Sequence, residues 1–189
     1  MSLPPDSFPP SPDLLERLAR VKLLLMDVDG VFTDGKLLNV PLPSGGWIET
    51  KAFDSQDGIS LRWLSNQGIE TGVISGRESP AVDIRARQIG MTYVYQGHTE
   101  KIPIIEEILK KSGIDPEQVA YMGDDLTDVV VMRRVGVGIA PANAREEVRQ
   151  VAHMVTHASG GSGAVRETVE AILKAQGLWD AILKKYEIT

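Results

Sequence analysis

The sequence predicts an α/β fold: one domain built on a parallel sheet with helices on both faces. Three observations carry this expectation. Short aliphatic runs alternate with longer stretches of helical period. The alternation keeps the spacing of strand–helix–strand units. A chain of 189 residues with 42% hydrophobic content supplies one core of ordinary size, domains being about 100–200 residues.

The elements follow in order. Prolines at positions 4, 5, 9, 10 and 12 make residues 1–11 a loose, Pro-rich arm. Ser11 and Pro12 read as the N-cap and first turn of a helix over Asp13–Arg20. Val21–Asp27 is a short apolar run ending in charge, the pattern of a strand buried on both faces. Residues 34–54 break the rhythm. Pro41, Pro43, Ser44, Gly45 and Gly46 separate Lys36–Val40 from Trp47–Phe53, which predicts a projecting β-hairpin. Strands are then expected at Ile69–Ser75, Thr92–Tyr95, Val119–Met122 and Val135–Ile139. Helices are expected at Asp57–Asn66, Ser79–Gln88, Thr99–Lys111, Leu126–Arg134 and Asn143–Val151, Ser79-Pro80 being a cap and N1 pair. Gly160-Gly161-Ser162-Gly163 reads as a flexible approach to a last amphipathic helix over Ala164–Gln176, with a polar tail at 177–189. The single domain therefore spans 12–176.

Composition narrows the function. A net charge of −6 argues against nucleic acid and against a polybasic membrane anchor. Apolar runs reach four residues, as in Val129–Met132, whereas a membrane span needs about 20. The absence of cysteine removes disulfides and thiolate chemistry. No basic stretch leads into an apolar one as in a secretory signal, and a cytoplasmic location is expected.

The chemistry gathers at strand ends, where open α/β sheets bind their ligands. The first strand ends in Asp27-Val28-Asp29-Gly30. Carboxylates two apart share one side of an extended end and invite a divalent cation; a charged turn would look the same. Ile74-Ser75-Gly76-Arg77 offers a hydroxyl and backbone N–H groups to a phosphate, or is a loop with a surface arginine. Lys101 opens a helix and, alone, is a solvated residue. Gly123-Asp124-Asp125-Leu126-Thr127-Asp128 places adjacent acids after an apolar strand, which suits a metal or a helix cap.

Taken in this order, the four segments resemble the haloacid dehalogenase phosphatase superfamily over Val21–Val155. Asp27–Gly35 (DVDGVFTDG), Gln96–Lys101 (QGHTEK), Tyr121–Asp128 (YMGDDLTD) and Gly160–Glu167 (GGSGAVRE) resemble, more narrowly, the 3-deoxy-D-manno-octulosonate 8-phosphate phosphatase family and its sialic-acid relatives. The resemblance implies a Rossmann-like core, a hairpin inserted after the first strand and no cap domain. It makes Asp27 the nucleophile and Asp29 the acid that protonates the leaving oxygen and then deprotonates water. It gives Mg²⁺ to Asp27, the backbone carbonyl of Asp29 and Asp124, and the phosphoryl oxygens to Ser75 and Lys101. Asp125 or Asp128 would orient Lys101 or metal-bound waters. The sugar acid, a small-molecule partner, is expected near Asp29, Asp54, Ser55, Gln56, Asp57, Gly58, Arg62, Arg77, Arg85 and Lys101, with arginine matched to its carboxylate, although by spacing alone Arg62 and Arg85 read as a solvated helix face. The resemblance also implies a homotetramer in which the hairpins assemble and the tail, with Arg166, reaches a neighbour's site.

Gln56 and Ser162 stand where the family usually has arginine. Both changes reduce positive charge near the substrate, so a nine-carbon 2-keto sugar-acid 9-phosphate stays beside the eight-carbon substrate. Two other classes stand as rivals. A non-catalytic phosphatase-like assembly domain would have no need of Asp27, Asp29, Lys101 and Asp124 together. A phosphoacceptor receiver would have no need of Asp29.

Overall fold

A computed structural model describes residues 11–188. The Pro-rich arm expected at 1–11 lies outside these residues except for Ser11. The Ser11 hydroxyl accepts the Leu14 N–H at 3.2 Å and caps α1 (Pro12–Ala19), whose first residue is the expected proline.

The sheet is six-stranded and parallel, in the order β5-β4-β1-β6-β7-β8. Its strands are β1 (Leu23–Met26), β4 (Glu70–Ile74), β5 (Tyr93–Tyr95), β6 (Val119–Met122), β7 (Val137–Ala140) and β8 (Met154–Val155). Strand β1 is central and buried on both faces, and its period of two sends side chains to two cores. Leu24 and Met26 join Leu61 and Leu64 of α2 (Ser55–Asn66), Val82 of α3 (Pro80–Ile89) and Val169 and Ile172 of α7 (Ala164–Ala175). Leu23 and Leu25 join Ile104 and Ile108 of α4 (Lys101–Ser112), Val131 of α5 (Leu126–Met132) and Val148 of α6 (Glu146–Val151). Two helical layers therefore clamp the sheet.

The order reverses between β1 and β6. From β1 the chain moves to β4 and β5, then returns to β6 on the other side and continues outward. Such a switch point opens a crevice at the carboxyl ends of the two strands. Asp27 follows β1 there, and Asp124 follows β6.

The expected hairpin forms from β2 (Leu38–Pro41) and β3 (Trp47–Thr50), paired antiparallel and separate from the main sheet. Four features differ from the sequence reading, the first being the unexpected two-residue edge strand β8. Residues 28–32 form a helical turn that carries the chain away from β1. The segment expected to be flexible, Gly160–Gly163, packs instead against the backbone of that turn. A Cβ on Gly160 would overlap the Gly30 carbonyl, and one on Gly161 the backbone of Thr33 and Asp34. The expected polar tail turns into α8 (Trp179–Lys185), with Ile182 buried and Trp179 set edge-on to Trp63, ring centroids 5.7 Å apart.

Candidate active site

The switch-point crevice is a cleft of about 220 Å³. Asp27, Asp29, Ser75, Arg77, Lys101 and Asp124, expected from distant parts of the sequence, all line it, together with Gly76, Thr99, Asp125 and Thr127.

The nucleophile candidate is held by its own turn. Asp27 Oδ1 accepts the Val28 N–H at 2.7 Å, and Asp27 Oδ2 lies 3.2 Å from Lys101 Nζ. Gly30 turns the chain at φ +89°, and a Cβ there would overlap the Asp124 carboxylate, so only glycine fits between the two acidic loops.

Lys101 is buried at the start of α4, its side chain only 3% exposed. Its ammonium donates to Asp128 Oδ1 at 2.6 Å and to the Tyr121 hydroxyl at 3.1 Å, and that hydroxyl donates to the same Asp128 oxygen at 2.7 Å. Asp128 Oδ2 accepts the N–H groups of Asp124 and Asp125 at 3.0 and 3.2 Å. Asp128 is therefore saturated: it orients Lys101 and pins the Asp124-Asp125 loop. Burial by itself would lower the Lys101 ammonium, but the carboxylates of Asp27 and Asp128 hold it above its usual range.

The acids behave differently. Burial raises Asp27 to about 6, with Asp128 adding to the rise and Lys101 opposing it. Burial, then the charges of Asp128, Asp27 and Asp125, raise Asp124 to about 7. One oxygen each of Asp27, Asp124 and Asp128 lies within 4.8 Å of the others. Asp128 is fully used, whereas Asp124 Oδ1 is buried without a hydrogen-bond partner. A buried, unpartnered carboxylate oxygen beside a second raised carboxyl fits a hard divalent cation that takes few carboxylates and keeps several waters.

Ser75 is buried at the end of β4, and its hydroxyl accepts the Arg77 N–H at 3.1 Å, which tightens the Ser-Gly-Arg turn. Arg77 reaches across the mouth to pair with Glu49 of β3, and its Nε lies 3.9 Å from Asp29 Oδ2. Lys51, just beyond β3, pairs with Asp29 Oδ1. Sequence reasoning missed Glu49 and Lys51. Their signal was the spacing of two charges, i and i+2, which puts both on one side of an extended segment.

The remaining expected residues stand outside the cleft lining. Asp54 caps α2, its carboxylate accepting the N–H groups of Gln56 and Asp57, while Ser55 and Gln56 are exposed on the first turn. Arg85 donates from Nη2 to the Asp54 carbonyl at 3.2 Å and lies over Gly58, where a Cβ would overlap the guanidinium. Arg62 is exposed. Asp57 is buried, and its carboxylate accepts the Arg166 N–H at 2.8 Å and the Gly163 N–H at 3.4 Å. The Arg166 side chain bonds Glu170 at 2.5 Å and stacks on Trp63, its guanidinium carbon 4.0 Å from the ring centroid. Within its own chain, then, Arg166 is a packed residue rather than a solvated one.

Comparison with known proteins identifies the family and agrees with the fold. A haloacid dehalogenase-like hydrolase family model matches residues 77–167. The chain is 41% identical to the 3-deoxy-D-manno-octulosonate 8-phosphate phosphatase KdsC of Yersinia pestis over 168 residues, covering 89% of this chain and 88% of the relative. The corresponding Escherichia coli K12 protein is 40% identical over 172 residues, covering 91% and 89%. The crystal structure of the Moraxella catarrhalis phosphatase, in complex with magnesium, phosphate and KDO, matches at TM-score 0.87 and 39% identity, over 93% of this chain and 99% of that one.

Proposed function

The chain belongs to the 3-deoxy-D-manno-octulosonate 8-phosphate phosphatases of the haloacid dehalogenase-like hydrolases, and from that premise we propose that it cleaves this sugar-acid phosphate through an aspartyl-phosphate on Asp27. The observation that carries the proposal is the meeting of Asp27, Lys101 and the half-used Asp124 at the switch point.

Asp27 attacks phosphorus, and the bond from phosphorus to the sugar oxygen breaks. Asp29 gives its proton to that oxygen, then removes a proton from the water that attacks the aspartyl-phosphate and releases inorganic phosphate. Lys101 and Ser75 bind the phosphoryl oxygens, where negative charge develops. Asp27, Asp124 and the backbone carbonyl of Asp29 would hold Mg²⁺. When bound, that ion offsets the repulsion between a dianionic phosphate and the carboxylate cluster. Arg77, at the mouth, suits the carboxylate of the sugar acid.

We further read the enzyme as cytoplasmic, which the cysteine-free sequence suits, and as a homotetramer, which the apolar hairpin supports. The test is phosphate release from p-nitrophenyl phosphate and a panel of sugar phosphates, with Mg²⁺ and with EDTA. Release is expected with Mg²⁺ alone, to favour the eight-carbon acid and to fall by several orders of magnitude in Asp27→Asn. Preference for a nine-carbon 2-keto acid 9-phosphate would overturn the substrate. Activity unaffected by EDTA or by Asp27→Asn would overturn the mechanism.

A further inference from the structure

Lys51 is unusual for a lysine near a surface. Its side chain is 1% exposed, whereas lysines ordinarily carry their ammonium out to water. A buried ammonium is costly unless paired, and this one has two carboxylates. It pairs with Asp29 Oδ1 and stands 3.4 Å from Glu49 Oε1. The other oxygen of Glu49 pairs with Arg77, and Arg77 Nε returns to within 3.9 Å of Asp29 Oδ2. Asp29, Lys51, Glu49 and Arg77 thus form a closed ring of alternating charge around the mouth of the cleft.

The ring joins three parts of the chain. Asp29 sits on the turn after β1, Arg77 on the turn after β4, and Glu49 with Lys51 on the return arm of the hairpin. Arg77 is half exposed and free to turn to a ligand, whereas the Lys51 side chain is buried in the ring. An ammonium is a compact charge: this one donates to Asp29 and faces Glu49 Oε1 at 3.4 Å as an ion pair without a hydrogen bond.

We propose that Lys51 is a positioning residue for the acid–base step: it fixes the Asp29 carboxyl group toward the cleft, with Glu49 anchoring it from the hairpin. This rests on the reading of Asp29 as the acid–base group. Lys51 is not among the residues that line the cleft and acts through Asp29. Misplacing a catalytic group by about 1 Å can cost on the order of 10²-fold in rate, and acid–base help is worth roughly 10²–10⁴-fold.

The experiment compares leaving groups within a double-mutant cycle. Lys51→Met keeps an unbranched side chain, one atom shorter, and removes the charge. It is expected to lower kcat on a sugar phosphate by about 10–100-fold with little change in KM. The loss on p-nitrophenyl phosphate, whose leaving group needs little protonation, should be far smaller. In an Asp29→Asn background, Lys51→Met should cost almost nothing further, because its route of action is already gone. A purely structural lysine would lower both substrates alike and cost the same in either background; either result overturns the proposal. Should Lys51→Met melt before assay, Lys51→Arg retains the charge in an altered geometry. It must then show the same leaving-group selectivity in milder form, and equal losses would be equally decisive. Wild-type enzyme without phosphatase activity would instead strike the underlying reading, so the two failures are distinct.

Discussion

Asp57 is buried beneath the N-terminus of α7, where Gly163 occupies the cap position and has no side chain to offer. The carboxylate reaching over from α2 replaces that cap, and burial, outweighing the two N–H groups it accepts, raises it to about 6. Asp27 is also raised to about 6 and Asp124 to about 7, both chiefly by burial. All three hold protons more tightly folded than at the ordinary carboxylate value of 3.8. Their contribution to stability is therefore complete at low pH and is lost as pH rises through their folded values. His153 works the other way, since burial lowers its imidazole, but it is one group against three. In EDTA, the melting temperature should fall as pH rises from about 5 to about 8. Added Mg²⁺ should stabilise increasingly over the same range, because ligand carboxylates must lose their protons to bind it. Asp57→Asn should flatten the EDTA profile and leave the Mg²⁺ increment in place. Differential scanning calorimetry across pH measures both, and a Mg²⁺ increment independent of pH would refute the assignment of Asp27 and Asp124 as its ligands.

The segment Gly160–Gly163 supports the turn after β1 from behind. The Gly160 N–H donates to Asn143 Oδ1 at 2.6 Å, Asn143 Nδ2 donates to the Gly30 carbonyl at 2.9 Å, and the Gly161 N–H donates to the Val31 carbonyl at 3.0 Å. Two loops thereby hold the turn that presents Asp27 and Asp29. Gly160→Ala must push backbone against backbone, at a cost of about 1–3 kcal/mol, or a melting shift of about 2–4 °C per kcal/mol at this size. It should also lower kcat well below the melting range. Gly177→Ala is the control, because Gly177 has φ +68° with nothing within 4 Å of an added Cβ. It should cost about 1–2 kcal/mol of local strain without affecting kcat. Equal kcat in the two variants would separate the glycine segment from catalysis. This element also marks where the sequence was legible. Apolar runs ending in Asp27, Ser75 and Gly123 announced strand ends, and the strand-end rule then located the cleft. Small residues at 160–163 were equally visible, but composition does not distinguish a flexible segment from one squeezed against another backbone. The pairing of Lys51 with Asp29 depends on a hairpin folding back over 22 positions, which no local pattern encodes. Helix α8 was hidden because Trp179 and Ile182 form a stripe too short for a clear period, and its N-cap, Leu178, makes no side-chain hydrogen bond.

The whole molecule leaves its hairpin unfinished. Two strands alone are marginal in water, yet every residue of β2 is exposed. The register assigns the two faces different work. Val40 lies opposite Ile48, and Leu38 opposite Thr50, so Leu38, Val40 and Ile48 share one face. Trp47 and Glu49 point to the other face, from which Glu49 reaches Arg77. Trp47 is 65% exposed, and Leu38, Val40 and Ile48 are also exposed, a concentration of apolar surface that marks an interface. The Leu38, Val40 and Ile48 face can be covered by other copies without disturbing the charge ring around Asp29. A specific contact buries about 800 Å² per partner, more than one small face supplies, so several hairpins meeting together is the economical arrangement, as in the proposed tetramer. Sedimentation of the full chain should give a mass about four times 20.6 kDa. Ile48→Glu should dissociate it, since a charge in the centre of an apolar contact is costly, while p-nitrophenyl phosphate hydrolysis survives because each cleft gathers its own Asp27, Lys101 and Asp124. Turnover of the sugar-acid phosphate should fall further if neighbouring subunits help to hold the sugar. A wild-type chain that sediments as a monomer at every concentration, or an Ile48→Glu variant that stays tetrameric, would remove the hairpin from any role in assembly.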